Sequence, residues 1–399
     1  MADSTRPPLR ILALLLGLAA CEHTEPFAAS ATPILSGPLS PGNPTRLTYN
    51  LGEDAYPVSA PDGSYLLYQA ENPDQLDRDR CLFLLPPTGG TQTLEACDQT
   101  VPSEDSTNVF GPAAVSPTGR MIFYQSAEPL HAGGATSAGV YLAPAMPVLT
   151  TTRLLSMPVS ISGALANKLI SFRWVGDSGF LSLGVQAQDY VPCRGCTPDS
   201  VETGVGVVWT TLGNGSPTVA AVAGTARASS YAFVAPDTVY FTLNNDSRIL
   251  RTRIGGGPVD SVFAFPAEST DAPIGARTGS PAIVRGLQVS GGVAYAITGG
   301  RIEYHPDSGS GEVQRDWGGK LHKVILATGV DSLVSAHTGS PQSSVTYVWM
   351  RNPTLSPTGA LTAEGRPVTI NMLYGAGLQF IGSDTVISRS TNLWQYAHP

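Results

Sequence analysis

Charged side chains are scarce in this chain. Asp, Glu, Lys and Arg make up 14% of its 399 residues, against roughly 25% in an average globular protein. The basic sign is the scarcer, and the net charge is −8. That excludes a broad electrostatic grip on nucleic acid, which needs clustered Lys and Arg. Long apolar runs are missing as well: the run at residues 11–20 falls well short of the roughly 20 residues a membrane-spanning helix needs. Segments with a sustained helical period are nearly absent, which argues against α/β folds. Catalytic signatures are missing too. No G-x-S-x-G occurs, and Gly319-Lys320 is followed by Leu321 without the glycine a phosphate-binding loop requires. The histidines, His23, His131, His305, His322, His337 and His398, are scattered. Asp74, Asp77 and Asp79 lack the order of a calcium loop and read as a solvated hairpin tip. No cofactor and no metal are expected.

What the chain has in quantity is turn-forming residue, with 43 Gly and 33 Pro, alongside 42% hydrophobic residues. Turns spread along the whole length favour many short elements. The hydrophobic content is enough for a sizeable core, so general disorder is excluded.

Residues 1–20 read as a secretory signal, with Arg6 and Arg10 before a short apolar stretch. Leu18-Ala19-Ala20-Cys21 follows and resembles the lipobox of bacterial lipoproteins, which implies a lipid on Cys21 and stable anchoring by several acyl chains. The next residue is Glu22 rather than Asp, which favours the outer membrane, facing the periplasm or the cell surface. Residues 21–44 are rich in Ala, Ser, Thr, Pro and Gly and read as a flexible tether; residues 45–399 are left to form the folded domain.

Beyond Cys21 four cysteines remain. An even number in an exported chain favours disulfides, and proximity suggests Cys81 with Cys97, stapling one hairpin, and Cys193 with Cys196. The latter pair is a C-x-x-C, so redox and metal readings also exist. Pro192, Gly195 and Pro198 imply an irregular loop rather than a helix terminus that would activate a thiol, and no further zinc ligands lie nearby.

Residues 56–69 and 112–125 repeat one pattern, a strand, a turn and a second strand. The turns are Ala60-Pro61-Asp62-Gly63 and Ser116-Pro117-Thr118-Gly119, and both copies end on Tyr-Gln. Pro presets φ and Gly accepts φ > 0. The pattern resembles the TolB-type, WD40-like (PD40) β-propeller repeat, in which an S-P-D-G turn joins two strands of a blade. Weaker copies place turns near 177, 237, 291, 331 and 384, spaced 40 to 60 residues apart, where a blade takes roughly 40 to 50. The expectation is an all-β, seven-bladed β-propeller. Ser356-Pro357-Thr358-Gly359 has no place in that count, so six or eight blades are alternatives, and an irregular pair of β-sandwiches is a different architecture altogether. Only two strands follow the last turn, so residues 46–50 are expected to complete the final blade and leave no open edge.

Among the tryptophans, Trp174, Trp209, Trp349 and Trp394 sit in apparent strands. Trp317 is read in a loop and is the candidate aromatic for binding a ligand. The resemblance implies a lipid-anchored, non-catalytic envelope module that presents a rigid face to an envelope protein or a cell-wall component, with a monomer expected. The alternatives are a small-ligand or glycan binder, and a lyase or hydrolase with an axial active site. Fold analogy does not choose between them.

Overall fold

The computed structural model describes residues 44–49, 52–71, 80–97, 106–129, 138–148, 150–161, 163–190, 199–213, 216–266, 276–277, 283–304, 313–335, 338–340, 344–374, 380–387, 391–396 and 399. Cys21, Cys193, Cys196, the signal, nearly all of the tether and the acidic run at 74–79 lie outside them.

The described residues form strands and no helix. After β1 (Thr45–Arg46) come four-stranded units. Unit one is β2 (Asp54–Ser59), β3 (Leu66–Glu71), β4 (Arg80–Leu85) and β5 (Thr93–Ala96). Unit two is β6 (Ser106–Val115), β7 (Met121–Pro129), β8 (Gly139–Ala143) and β9 (Thr152–Ser156). A small hairpin, β10 (Val159–Ile161) and β11 (Ala164–Ala166), leads to unit three, β12 (Lys168–Val175), β13 (Gly179–Tyr190), β14 (Asp199–Thr211) and β15 (Thr218–Ala221). Unit four is β16 (Ala228–Val234), β17 (Thr238–Leu243), β18 (Arg248–Arg253) and β19 (Asp260–Ala264). Past β20 (Ala276–Arg277), unit five is β21 (Ile283–Ser290), β22 (Val293–Tyr304), β23 (Val313–Ile325) and β24 (Val330–Ser335). Past β25 (Thr338–Ser340), unit six contains β26 (Ser344–Leu355), β27 (Leu361–Tyr374), β28 (Phe380–Ile387) and β29 (Asn392–Tyr396).

Neighbouring strands within each unit run antiparallel, and units one and two touch through a single parallel pairing, Arg80 with Val109. In unit six, β27 pairs with β28 along its far half and with β29 along its near half. The fourth place in that sheet belongs to β1, with Thr45 opposite Gln395 and Arg46 opposite Trp394. The arrangement is propeller-like.

Among the described residues the pairing yields six such units rather than seven. The turn near 331 is the second hairpin of unit five, between β23 and β24, and position 384 falls inside β28. The first reads as a blade start in sequence because a hairpin's period-2 pattern is the same wherever it sits in a sheet, and the second because Gly382-Ser383-Asp384 has turn composition within what is one strand. Ser356-Pro357-Thr358-Gly359 is the true first turn of unit six, and it copies the turn of unit two atom for atom. In unit two the Ser116 hydroxyl accepts from the Arg120 amide at 3.0 Å, and the Gly119 amide donates to the Ser116 carbonyl at 3.0 Å. In unit six the corresponding bonds, Ala360 to the Ser356 hydroxyl and Gly359 to the Ser356 carbonyl, are both 2.9 Å. Gly119 and Gly359 sit at φ 84° and 89°, which side chains with a Cβ disfavour. Unit one lacks the serine. There Asp62 takes over, accepting from the Ser64 amide at 3.0 Å and from its hydroxyl at 2.6 Å.

The core is divided among the junctions between units, as expected when each sheet is apolar on both faces. Leu67 and Leu82 meet Phe110 and Phe123 between units one and two, and Ile122 and Tyr124 meet Phe172 and Phe180 between two and three. Leu181 and Leu183 pack on Tyr231 and Phe241, Ile249 on Leu287, and Ile297 and Leu321 on Met350 and Leu361. The remaining cluster joins Leu47 and Leu393 to Leu66, Tyr68 and Phe83, so unit six packs on unit one. Each fully buried Leu or Phe in these layers contributes roughly 1.5–3 kcal/mol.

Cys81 and Cys97 are bonded. They link the start of β4 to the residue after β5, the hairpin the sequence suggested, and a loop of this length contributes about 3 kcal/mol in the chain-entropy model.

Candidate functional site

The first strand of each unit, β2, β6, β12, β16, β21 and β26, carries a register shift against its hairpin partner at the same relative place. These are β-bulges, which re-aim side chains and break the ladder. Several are marked by proline: Tyr56-Pro57, Gly111-Pro112 and Asn352-Pro353. Proline lacks the amide hydrogen a ladder needs, so inside a strand it is tolerated at edges and bulges. Tyr56, Ser171 and Asn352 hold positive φ of 52°, 55° and 47°, a conformation that costs about 1–3 kcal/mol each for residues with a Cβ and gathers at functional sites.

The bulges converge. A small cavity that opens to solvent, with about 20 Å3 of enclosed space, is lined by every one of these first strands. The residues that line it include Tyr56, Phe172, Tyr231, Ser230, Gln288 and the prolines of the bulges. Contacts between neighbouring units fix these groups. The Tyr231 hydroxyl donates to the Ser171 carbonyl across units four and three, and Gln288 Nε2 donates to the Pro353 carbonyl at 2.6 Å across units five and six.

One lining side chain is charged: Arg173. Its Nη1 donates to the Phe172 carbonyl at 2.9 Å. Burial holds its pKa below the ordinary arginine value, with nearby Tyr231 acting in the opposite sense. Burial also pushes the Tyr231 hydroxyl up, against the pull of the guanidinium.

A second repeated position fastens the units together. Opposite the bulge, the second strand of unit one carries Gln69, whose Nε2 donates to the carbonyls of Phe110 at 3.3 Å and Gly111 at 3.1 Å. Thr242 donates to the Val284 carbonyl in the same way at 3.5 Å. In unit six the position is Glu364, with its side chain fully buried. Its carboxylate accepts from the Tyr56 amide at 2.7 Å, from Asn352 Nδ2 at 3.0 Å and from Arg351 Nε.

Trp317 is not in a loop. It lies in β23 opposite Gly300. Its neighbours Gly318 and Gly319 suggested a turn, but the long β22–β23 hairpin absorbs them through a register shift between Thr298 and Gly299. Trp174 and Trp209 pack against the layers between units, as read from sequence. His322 stands away from the axis with Nδ1 3.0 Å from Asp331. Among the described residues no group of three or more His, Cys, Asp or Glu could hold a metal ion. Sequence reasoning missed Arg173, Tyr231 and Glu364. Its available signal was charge inside apolar strands, as in Phe172-Arg173-Trp174.

No protein-family model matches the chain, and no curated protein does. Among solved structures it is similar to a gluconolactonase from Xanthomonas campestris, at 13% identity over 92% of this chain and 98% of that one, with a TM-score of 0.44. It is also similar to TolB from Acinetobacter baumannii, at 11% identity over 73% of this chain and 59% of that one, TM-score 0.35. An oligogalacturonate lyase in complex with manganese shares 10% identity over 93% and 96%, TM-score 0.39. Likeness this distant says nothing of activity; the site is argued from its own residues.

Proposed function

We propose that the chain is a six-bladed β-propeller, closed by β1 in the last blade, that binds a small ligand in its axial cavity. Lipid on Cys21 holds it, as a monomer, at the bacterial cell envelope, on the outer membrane. The observation that carries the binding role is the meeting of all the innermost strands, through strained bulges, around one cavity with a single charged side chain. Energy stored in such backbone is characteristic of places that hold something. The reading follows ligand binding rather than a protein scaffold, because the built feature is concave and axial, as small-molecule sites are. It favours binding over catalysis because the described lining offers no carboxylate, His or Cys to move a proton.

The test is thermal unfolding of the mature protein in the presence of cell-wall saccharides, amino acids and organic acids. A true ligand at a hundredfold excess over its Kd stabilises by about 2.7 kcal/mol. The shift is expected to vanish in Ser230→Phe, which fills the cavity. No shift with any compound, or a shift that survives the plug, sinks the reading. Anchoring is checked separately: Cys21→Ser is expected to move the protein from the membrane fraction to the soluble fraction, and an unchanged distribution refutes the lipid.

A further inference from the structure

We propose that the ligand of the axial cavity is a small organic carboxylate, with the Arg173 guanidinium as its counter-ion. This rests on the ligand-binding reading above and adds the chemical class. Elsewhere in the fold five arginines are paired with acids, Arg80 with Glu53, Arg248 with Asp246, Arg251 with Asp260, Arg253 with Asp237 and Arg351 with Glu364, while Arg46, Arg120 and Arg153 donate to backbone carbonyls. Arg173 faces no carboxylate among the described residues; its hydrogen bond is to the neutral Phe172 carbonyl. The carboxylate that touches the lining is Glu364, and its oxygens are already engaged by Arg351, Asn352 and the Tyr56 amide.

A guanidinium carries several N–H donors in one plane, so the donors left over form an edge able to hold two acceptor oxygens side by side. An enclosed cation without a counter-ion is costly, and an anion entering the cavity removes that cost. The charge also sets the class. One guanidinium balances one negative charge, which suits a carboxylate. A phosphate monoester would bring a second charge into a space with no other cationic lining residue. Tyr56, Phe172, Tyr231, Ser230 and Gln288 are among the other residues that line the cavity.

The experiment is calorimetric titration of the mature protein with matched pairs: benzoate and benzamide, lactate and lactamide, glucuronate and glucose, with inorganic phosphate as a further probe. The expected result is that at least one carboxylate binds at least tenfold more tightly than its neutral partner, and that Arg173→Gln abolishes this preference while Arg173→Lys keeps part of it. Thermal unfolding supplies a second readout. Arg173→Gln without ligand is expected to melt at or above the wild-type temperature, because an uncompensated cation has been removed. If the neutral partners bind as well as the acids, or Arg173→Gln leaves acid binding intact, the class is wrong and the ligand-binding reading stands. If phosphate binds more tightly than every carboxylate, the class is again wrong. If no carboxylate binds, the inference fails; if in addition no compound shifts the melting temperature, the ligand-binding reading fails with it.

Discussion

Replacing Glu364 by Ala is expected to destabilise the protein by about 1–3 kcal/mol, the usual cost of taking the acceptor away from buried hydrogen-bonding groups. The side chain is fully buried. Its removal takes one acceptor from the Arg351 guanidinium, the Asn352 amide and the Tyr56 backbone N–H together. The Tyr56 amide belongs to unit one and the other two to unit six, so the damage falls on the joint between the first and last units. Glu364→Gln keeps the shape and one carbonyl acceptor, and is expected to lose less. Guanidinium chloride unfolding of the variants measures both. A loss under about 1 kcal/mol for Glu364→Ala, the size of an ordinary hydrogen bond, would mean the carboxylate does not hold this joint.

The second large effect concerns β1. A chain starting at residue 44 is expected to fold like the full mature protein, whereas one starting at residue 50 is expected to yield no folded, soluble product. The difference is six residues with dense contacts. Leu47 is 3% exposed and packs with Leu66, Tyr68, Phe83 and Leu393; truncating such a leucine alone costs about 2–5 kcal/mol. The Leu47 amide donates to the Leu393 carbonyl at 2.7 Å. The Thr48 hydroxyl donates to Asp54 and accepts from the Leu393 amide at 2.9 Å. Losing these together approaches a typical total stability of about 5–15 kcal/mol, and it also exposes an open edge on the last sheet. Circular dichroism melts and size-exclusion profiles of the two truncations decide the matter, and equal melting temperatures would refute it.

The turns were the legible part of the sequence. Pro and Gly have fixed backbone consequences, so Ser116-Pro117-Thr118-Gly119 and its relatives could be placed without knowing their surroundings. Counting units was harder. A blade contains more than one hairpin, and nothing local to residue 331 distinguishes the outer hairpin of unit five from the inner hairpin of a new unit. The same blindness hid the site. Arg173 looks in sequence like one polar residue on a half-exposed strand, and it gains its meaning only because bulges in five other strands arrive at the same place. Glu364 was harder still, since its partner lies 308 residues away, beyond the reach of any periodicity. The Tyr-Gln that ends both close repeat copies did carry information: Gln69 is the strut to the next unit, and its sequence counterpart in the second copy is Gln125.

The bond between Thr48 and Leu393 spans 345 positions, which has a consequence for biosynthesis. On a ribosome the segment holding Thr48 must wait, without this partner, while the 345 positions up to Leu393 are made. Its apolar face, with Leu47, and the matching layer of Leu66 and Tyr68 stay uncovered throughout that interval. Nascent chains in this condition are prone to clump. Termination before residue 393 would release an unsealed, aggregation-prone product.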